Sequence, residues 1–487
     1  MQNSSTSPLF ADSNHRRVHF VAICGVAMAS VAAELHRAGF DVTGSDAGIY
    51  PPMSDFLAGQ GLRVFEGFSP DNLPSDGLIV IGNAVSRGNV ELEAALDRSL
   101  PLISLPELIN RRYLASRPGL LRRSVVIAGT HGKTTTASLT AAILRQAGLN
   151  PGWMIGGIPR DLPVPCAFGG GGEFVIEGDE YDAVYYDKRP KFFHYRPHFA
   201  VLTSVEFDHA DIYPDFAAVK DAFRKFVRLL PRAGRLVAWG DDDTVCEIAG
   251  NASCPVIFYG ESAGCDWRLE MGTSGESTCG EILSPEGGRW TMEIPLPGRH
   301  NLLNALAALI VVREMGVSVE SSLEILKSIK GVARRMELAG EFPHGGSSVV
   351  LYDDFAHHPT AVRETLSALK QRHPDRRLWA VFEPRSNTMV RKRFQNELAA
   401  AFNDADYVIL GALHRQERLP EDERLDRWAV AAGLEQSGKS AWVEDSVEAI
   451  AELLGRHLRG GEVVALMSNG SFGGLKDKLI KKITGNG

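Results

Sequence analysis

The densest chemistry in the chain sits in Gly129-Thr130-His131-Gly132-Lys133-Thr134-Thr135. This run follows the apolar stretch Ser124-Val-Val-Ile-Ala128 and opens a helix-like segment, the setting a phosphate-cradling loop needs. Glycines let backbone N–H groups approach phosphate oxygens, and the start of the next helix adds partial positive charge. Lys133 would neutralise charge on the outer phosphates of a nucleoside triphosphate, and the Thr134 hydroxyl would sit on Mg²⁺. The loop is a shortened variant, because the usual spacing would place glycine where Ile127 stands. The alternative is a glycine-rich turn before a helix, and Gly-Lys-Thr in this setting argues against it.

A cation needs more than one hydroxyl. Glu177 stands in Glu177-Gly-Asp-Glu-Tyr-Asp182, and His209 in Glu206-Phe-Asp-His-Ala-Asp211, each just past a strand-like run. Open α/β sheets bind ligands at that end of their strands, and carboxylates suit a hard ion such as Mg²⁺. By residue type alone, His209 reads equally as a loop histidine or as a ligand. Arg385, with Ser386 and Asn387, follows the run Leu378-Trp-Ala-Val-Phe382. A planar guanidinium there fits a carboxylate bidentately, against the alternative of a surface arginine after a proline turn. Lys188, Arg189, Lys191, His194 and Arg196 form a basic stretch that would guide an anionic ligand or lie in a solvated loop. His357 and His358 are adjacent, so their side chains point apart and do not make a zinc pair by themselves.

Three segments of alternating strand-like and helix-like runs must hold these groups. Their strand candidates are Val18–Cys24, 41–44, 78–81 and 102–104; then 124–128, 174–177, 199–204 and 235–238; then 348–352, 378–382, 407–410 and 463–467. Short apolar runs separated by helices predict parallel sheets in an α/β fold. The turn pattern between Cys254 and Pro297 predicts an antiparallel insert or a flanking small sheet. Asn301 to Glu314 reads as a helix apolar nearly all round, hence buried. The length of 487 residues suggests about three domains. The boundaries read as a disordered lead-in over 1–17, then 18–118, 119–338 and 339–487, with the arginine-rich stretch 111–123 as a linker.

Composition narrows the function. The net charge is −8, which excludes binding nucleic acid by bulk charge, so anionic ligands must be met by local donors. No apolar run is long enough to cross a bilayer, and residues 1–17 lack a signal-like apolar segment, so the expected location is the cytoplasm. The six cysteines, Cys24, Cys166, Cys246, Cys254, Cys265 and Cys279, show neither a disulfide framework nor zinc spacing.

Taken in order, the loop 129–135, Glu177-Gly-Asp-Glu180, Glu206-Phe-Asp-His-Ala-Asp211, Gly298-Arg-His-Asn-Leu-Leu-Asn304, Arg334-Arg335 and Asp353-Asp-Phe-Ala-His-His-Pro359 resemble the Mur ligases, the ATP-dependent amide-forming enzymes of peptidoglycan synthesis. The resemblance runs from Val18 to about Leu475. It implies a Rossmann-like first domain, a central phosphate-loop ATPase domain and a Rossmann-like third domain. ATP would contact Gly129, Thr130, His131, Gly132, Lys133, Thr134, Thr135, Asn301, Asn304, Arg335 and Asp354. Lys133, Glu177, His209 and Arg335 would be catalytic, with Mg²⁺ on Thr134, Glu177 and His209. Gly25, Met28, Ser45, Asp46, Lys188 and Arg189 would meet a UDP-sugar, and Arg385, Ser386, Asn387 and His357 an incoming peptide. The stretches Tyr186 to Arg196, Phe382 to Met389 and Met467 to Gly474 resemble the branch that joins the preformed tripeptide L-Ala-γ-D-Glu-meso-diaminopimelate to UDP-N-acetylmuramate. The alternative inside the family adds L-alanine instead. A monomer or weak homodimer without nucleic-acid or membrane partners is expected. Some relatives carry a carbamylated lysine on the helix after the His209 motif; here Phe223 matches that position and Lys225 lies two residues on, so no such modification is expected. A more distant alternative is a nicotinamide-dependent oxidoreductase, suggested by the opening strand–Gly–helix and Asp46. It lacks G-x-G-x-x-G and leaves the loop 129–135 without a role. A non-catalytic phosphate-loop switch is the third alternative.

Overall fold

The computed structural model describes residues 16–49, 53–116, 119–272, 275 and 277–485. Most of the predicted lead-in lies outside them, and Arg17 already begins the first strand. Three sheets follow one another along the chain. The first has five parallel strands in the order Arg63–Glu66, Asp41–Asp46, Arg17–Val21, Leu78–Ile81, Leu102–Ser104. This order turns back at Arg17–Val21, as in a doubly wound Rossmann-like sheet. The interior strand Leu78–Ile81 is buried at every residue, which is why it is apolar without alternation.

The second sheet has ten strands. Its middle is parallel, with Arg123–Ala128 between Glu173–Gly178 and Phe199–Leu202. The stretch after Cys254 holds the expected antiparallel run: Trp267–Met271, Thr278–Leu283 and Arg289–Ile294 pair antiparallel and continue the large sheet through Val256–Gly260. Helix Arg299–Arg313 is buried from Asn301 to Val312 and packs against helix Lys133–Gln146 and the sheet, so its all-round apolarity reflects burial on several sides. The predicted linker is more ordered than expected. Asn110–Leu114 is helical, and buried Arg122 donates to the carbonyls of Phe168 (2.7 Å), Gly169 (3.0 Å) and Gly171 (2.7 Å).

The third sheet has six strands in the order Glu337–His344, Ser347–Asp354, Glu462–Met467, Arg377–Phe382, Tyr407–Leu410, Ser440–Val443. Only the first pair is antiparallel. Glu337–His344 and Ser440–Val443 were not among the predicted strands. Both lie at edges, where the continuous apolar run of a central strand is absent. The C-terminal ends of the strands in the second and third sheets face a shared cleft, to which the first segment adds Val26, Ala27 and Leu105.

Candidate active site

Strand Arg123–Ala128 delivers the phosphate loop, and helix Lys133–Gln146 leaves it. Gly132 caps that helix in the left-handed region (φ 79°), and a Cβ there would lie 2.4 Å from Asn304 Oδ1. Glycine is therefore required both by the backbone and by the close approach of the buried helix Arg299–Arg313. The Ser204 hydroxyl accepts the His131 N–H (3.0 Å), and Thr130 N–H bonds to the Ser204 carbonyl (2.9 Å). The loop is thus tied to the end of the neighbouring strand.

Lys133 Nζ donates to Glu180 Oε2 at 3.0 Å and to the Thr130 carbonyl at 3.2 Å. Burial would lower this lysine, but the charges of Glu180 and Asp179 outweigh it and hold it above its usual value. Thr134 Oγ1 donates to Glu177 Oε2 at 2.8 Å, while Gly156 N–H donates to the other oxygen of Glu177. Burial pushes the Glu177 carboxyl above its ordinary range, against these donors and Arg335. His209, in the left-handed region (φ 57°), sets Nε2 at 2.9 Å from Glu180 Oε1. Burial would lower His209, and the Glu180 hydrogen bond and charge raise it instead.

Arg335 enters from the boundary between the second and third segments. Its flanking residues Arg334 and Met336 both have positive φ (59° and 49°), a strained turn held by Arg334 donating to the Ser468 carbonyl (2.6 Å). The turn aims the Arg335 guanidinium at Thr134 Oγ1 (3.3 Å) and over the Phe355 ring (4.7 Å). Asp354 accepts the Ala356 N–H (2.7 Å) and the Thr365 hydroxyl (3.2 Å), and burial raises its carboxyl. Two further bonds cross between the second and third segments. Thr388 donates to Asp208 (2.6 Å), and Asn387 to Asp211 (2.8 Å). Burial would raise Asp208, but the charges of His209 and His357 and the Thr388 bond hold it well below the usual carboxylate range.

One cavity of about 840 Å³ joins these groups. Every expected ATP residue except Gly129 borders it, as do the three metal candidates and the four peptide candidates. Arg385 packs closely over Gly470 and lies 3.4 Å from Glu383. The Ser386 hydroxyl accepts the Met389 N–H (3.1 Å). Burial pushes His357 down to about 4, so its imidazole is neutral at pH 7.

The six residues expected to meet a UDP-sugar do not border this cavity. Ser45 is fully buried with its hydroxyl on Glu91, and Met28 is a core residue. Alternating apolar and small residues in that strand and helix serve the interior there. Gly25 is exposed at the start of helix Val26–Arg37. Asp46 accepts the Cys24 N–H (2.9 Å) and the Gly48 N–H (3.0 Å), a turn-holding role rather than contact with a ribose. Lys188 and Arg189 are exposed and paired with Asp182 and Asp187, while Lys191 of the same stretch reaches the cavity beside Asp179 (2.6 Å). Arg189 borders a second cleft of about 650 Å³ with Arg111, His194 and Arg196. Phe223 is buried against Phe192, and exposed Lys225 pairs with Asp221, so neither faces the cavity.

Residue-type reasoning missed Glu180, the shared partner of Lys133 and His209, although it stands in the quoted Glu177–Glu180 run. It also missed Glu206, which accepts from Thr360 (2.7 Å) and lies between His131 and His358. Burial would raise Glu206, but those neighbours hold it down to about 2.

A phosphate loop facing a carboxylate–histidine set, closed by an arginine and an aspartate from a third layer, defines a nucleotide-dependent group-transfer enzyme. The chain belongs to the Mur ligase family of ATP-dependent ligases. Residues 17–115 match the Mur ligase family catalytic domain, 127–312 the Mur ligase middle domain and 334–470 the Mur ligase glutamate ligase domain. The chain is 37% identical over 471 residues to the UDP-N-acetylmuramate–L-alanyl-γ-D-glutamyl-meso-2,6-diaminoheptandioate ligase of Escherichia coli K12, covering 95% of this chain and 97% of that one. It is 34% identical over 476 residues to the UDP-N-acetylmuramate–L-alanine ligase of Halorhodospira halophila, covering 97% and 94%. Among solved structures, a murein peptide ligase of Psychrobacter arcticus superposes with a TM-score of 0.71 at 32% identity, covering 96% of this chain and 98% of that one.

Proposed function

We propose that the protein joins the α-amine of L-Ala-γ-D-Glu-meso-diaminopimelate to the lactoyl carboxylate of UDP-N-acetylmuramate at the expense of ATP. The observation that carries this is the single cavity bordered by Lys133 and Thr134, by Glu177 and His209, and by Arg335 and Arg385. It sets phosphate-binding groups and a carboxylate-binding guanidinium in one enclosure. The full-length likeness to an E. coli ligase named for that peptide supports the choice of amine.

A carboxylate is a poor electrophile. In the first step its oxygen forms a bond to the γ-phosphorus, the bridging P–O bond breaks and ADP leaves, giving an acyl phosphate. The amine then bonds to the acyl carbon, the C–O bond to phosphate breaks, and the nitrogen loses a proton. Two anions meet in the first step, so the chain's main task is to neutralise and position them. Lys133 would act as a point charge, and Arg335, whose guanidinium lies 3.3 Å from Thr134 Oγ1, as a planar donor. Thr134 and Glu177 offer adjacent oxygens 2.8 Å apart, a hard donor set that fits Mg²⁺, with His209 as a further donor. Mg²⁺ bound there would supply charge neutralisation at the phosphates. Asn301, Asn304 and Asp354 are assigned to the nucleoside. Arg385, Ser386 and Asn387 clamp peptide carboxylates, and neutral His357 accepts a hydrogen bond from the amine. The segments 18–118, 119–338 and 339–487 then serve UDP-sugar, ATP and peptide. The protein works in the cytoplasm as a monomer or weak homodimer.

Isotope transfer tests the chemistry. With ¹⁸O in the lactoyl carboxylate, one label should appear in the inorganic phosphate released. Amide formation with unlabelled phosphate would overturn the acyl-phosphate route.

A further inference from the structure

Outside the Thr134–Glu177 donor set, the second and third segments bring together His131, Glu206 and His358, whose donor atoms all lie within 4.8 Å of one another. They come from three places: the phosphate loop, the loop after strand Phe199–Leu202, and the cap of helix Pro359–Arg372. Glu206 Oε2 lies 3.5 Å from His131 Nε2 and 3.4 Å from His358 Nδ1. A tetrahedral site with metal–donor bonds of about 2.0–2.1 Å has edges of about 3.3–3.4 Å, so two edges are nearly in place. The rings of His131 and His358 stand 4.8 Å apart and tilted, not stacked flat. His131 Nε2 is buried with no hydrogen-bond partner among the described residues. The His358 side chain is only 5% exposed; its Nδ1 lies 3.4 Å from Glu206 Oε2 and accepts the Thr360 N–H over a long 3.4 Å, a weak contact that a bound cation would displace. Thr360 also bonds Glu206 Oε2 at 2.7 Å, which orients the carboxylate between the rings.

We infer that His131, Glu206 and His358 form a binding site for a zinc-class divalent cation that fastens the third segment to the phosphate loop. Two imidazoles and one carboxylate suit zinc and disfavour Mg²⁺ or Ca²⁺, which take oxygen donors. His131 and Glu206 both border the cavity. A cation held there would join the phosphate loop to the third segment, and its binding does not rest on the ligase function proposed above.

The test uses the metal-free full-length protein in excess Mg²⁺, with Zn²⁺ titrated against a chromogenic chelator and no substrate present. One Zn²⁺ should bind per chain. His131→Gln and His358→Asn should each weaken it at least tenfold, and asparagine keeps the helix cap that His358 provides. Co²⁺ should give the intense visible bands of a tetrahedral site in the parent and not in either variant. His209→Asn should leave the affinity unchanged. Failure to bind one equivalent, binding unmoved by both His131→Gln and His358→Asn, or loss of binding in His209→Asn would each overturn the site. Binding as described together with a failed ligase assay would leave the site intact and reject only the proposed reaction.

Discussion

Gly132→Ala tests how tightly the phosphate loop is built against the helix behind it. The native residue has φ 79°, where a non-glycine costs roughly 1–2 kcal/mol. Reduced freedom of the unfolded chain offsets about 0.4–1 kcal/mol of that. The added Cβ would lie 2.4 Å from Asn304 Oδ1, so the buried amide must swing away and give up the Thr136 hydroxyl at 3.2 Å. Losing that bond and leaving a buried polar group without a partner costs roughly 1–3 kcal/mol. The sum is about 1–5 kcal/mol, of which about 1–3 belongs to the clash and vanishes when Asn304 is already alanine. Thermal unfolding of the parent, Gly132→Ala, Asn304→Ala and the double variant measures this. Gly132→Ala should lower the transition by roughly 2–20 °C, and the double variant should lose clearly less than the two singles added together. Strict additivity, or a Gly132→Ala protein as stable as the parent, would refute this packing argument.

Glu177→Ala should lower turnover at least about 100-fold by removing the carboxylate proposed to anchor Mg²⁺; near-parental rates at low Mg²⁺ would reject the assignment. Arg385→Ala should raise the tripeptide KM about tenfold or more with the ATP KM little changed, and steady-state kinetics with each substrate varied in turn will show it. Acid sensitivity follows from His358, which burial holds at about 4. Its unfolded value is about 6.5, so between these limits the unfolded chain binds more protons and stability rises with pH. The transition temperature should therefore fall as pH drops from about 6.5 toward 4, and His358→Asn should flatten part of that fall. His209 works in the opposite sense, since its raised value stabilises most below about 6.5 and that contribution fades as pH rises through the folded value.

The local features of fold and site were readable because they depend on short-range rules. The loop 129–135, the buried strand Leu78–Ile81 and the buried helix Arg299–Arg313 each announce themselves by glycine placement or apolar run. What escaped depends on contacts distant in the chain. Glu180 matters because its carboxylate meets Lys133 and His209 together, from positions 47 and 29 residues away. Glu206 matters because the third layer folds His358 and Thr360 onto it. The resemblance put Ser45 among the UDP-sugar residues, whereas Glu91, 46 residues on, claims its hydroxyl in the interior. His357 borders the cavity while His358 caps helix Pro359–Arg372, and only the tertiary fold supplies His358 with His131 as a neighbour. The edge strand Glu337–His344 is half-exposed along its length, so its polar composition hid it.

The central claim is tested most directly by ADP release in the presence of ATP, Mg²⁺ and UDP-N-acetylmuramate, with the tripeptide and L-alanine supplied separately. A site built around carboxylate clamps for the longer amine should give a kcat/KM for the tripeptide at least roughly 100-fold above that for L-alanine. Turnover with L-alanine that equals or exceeds turnover with the tripeptide would contradict it.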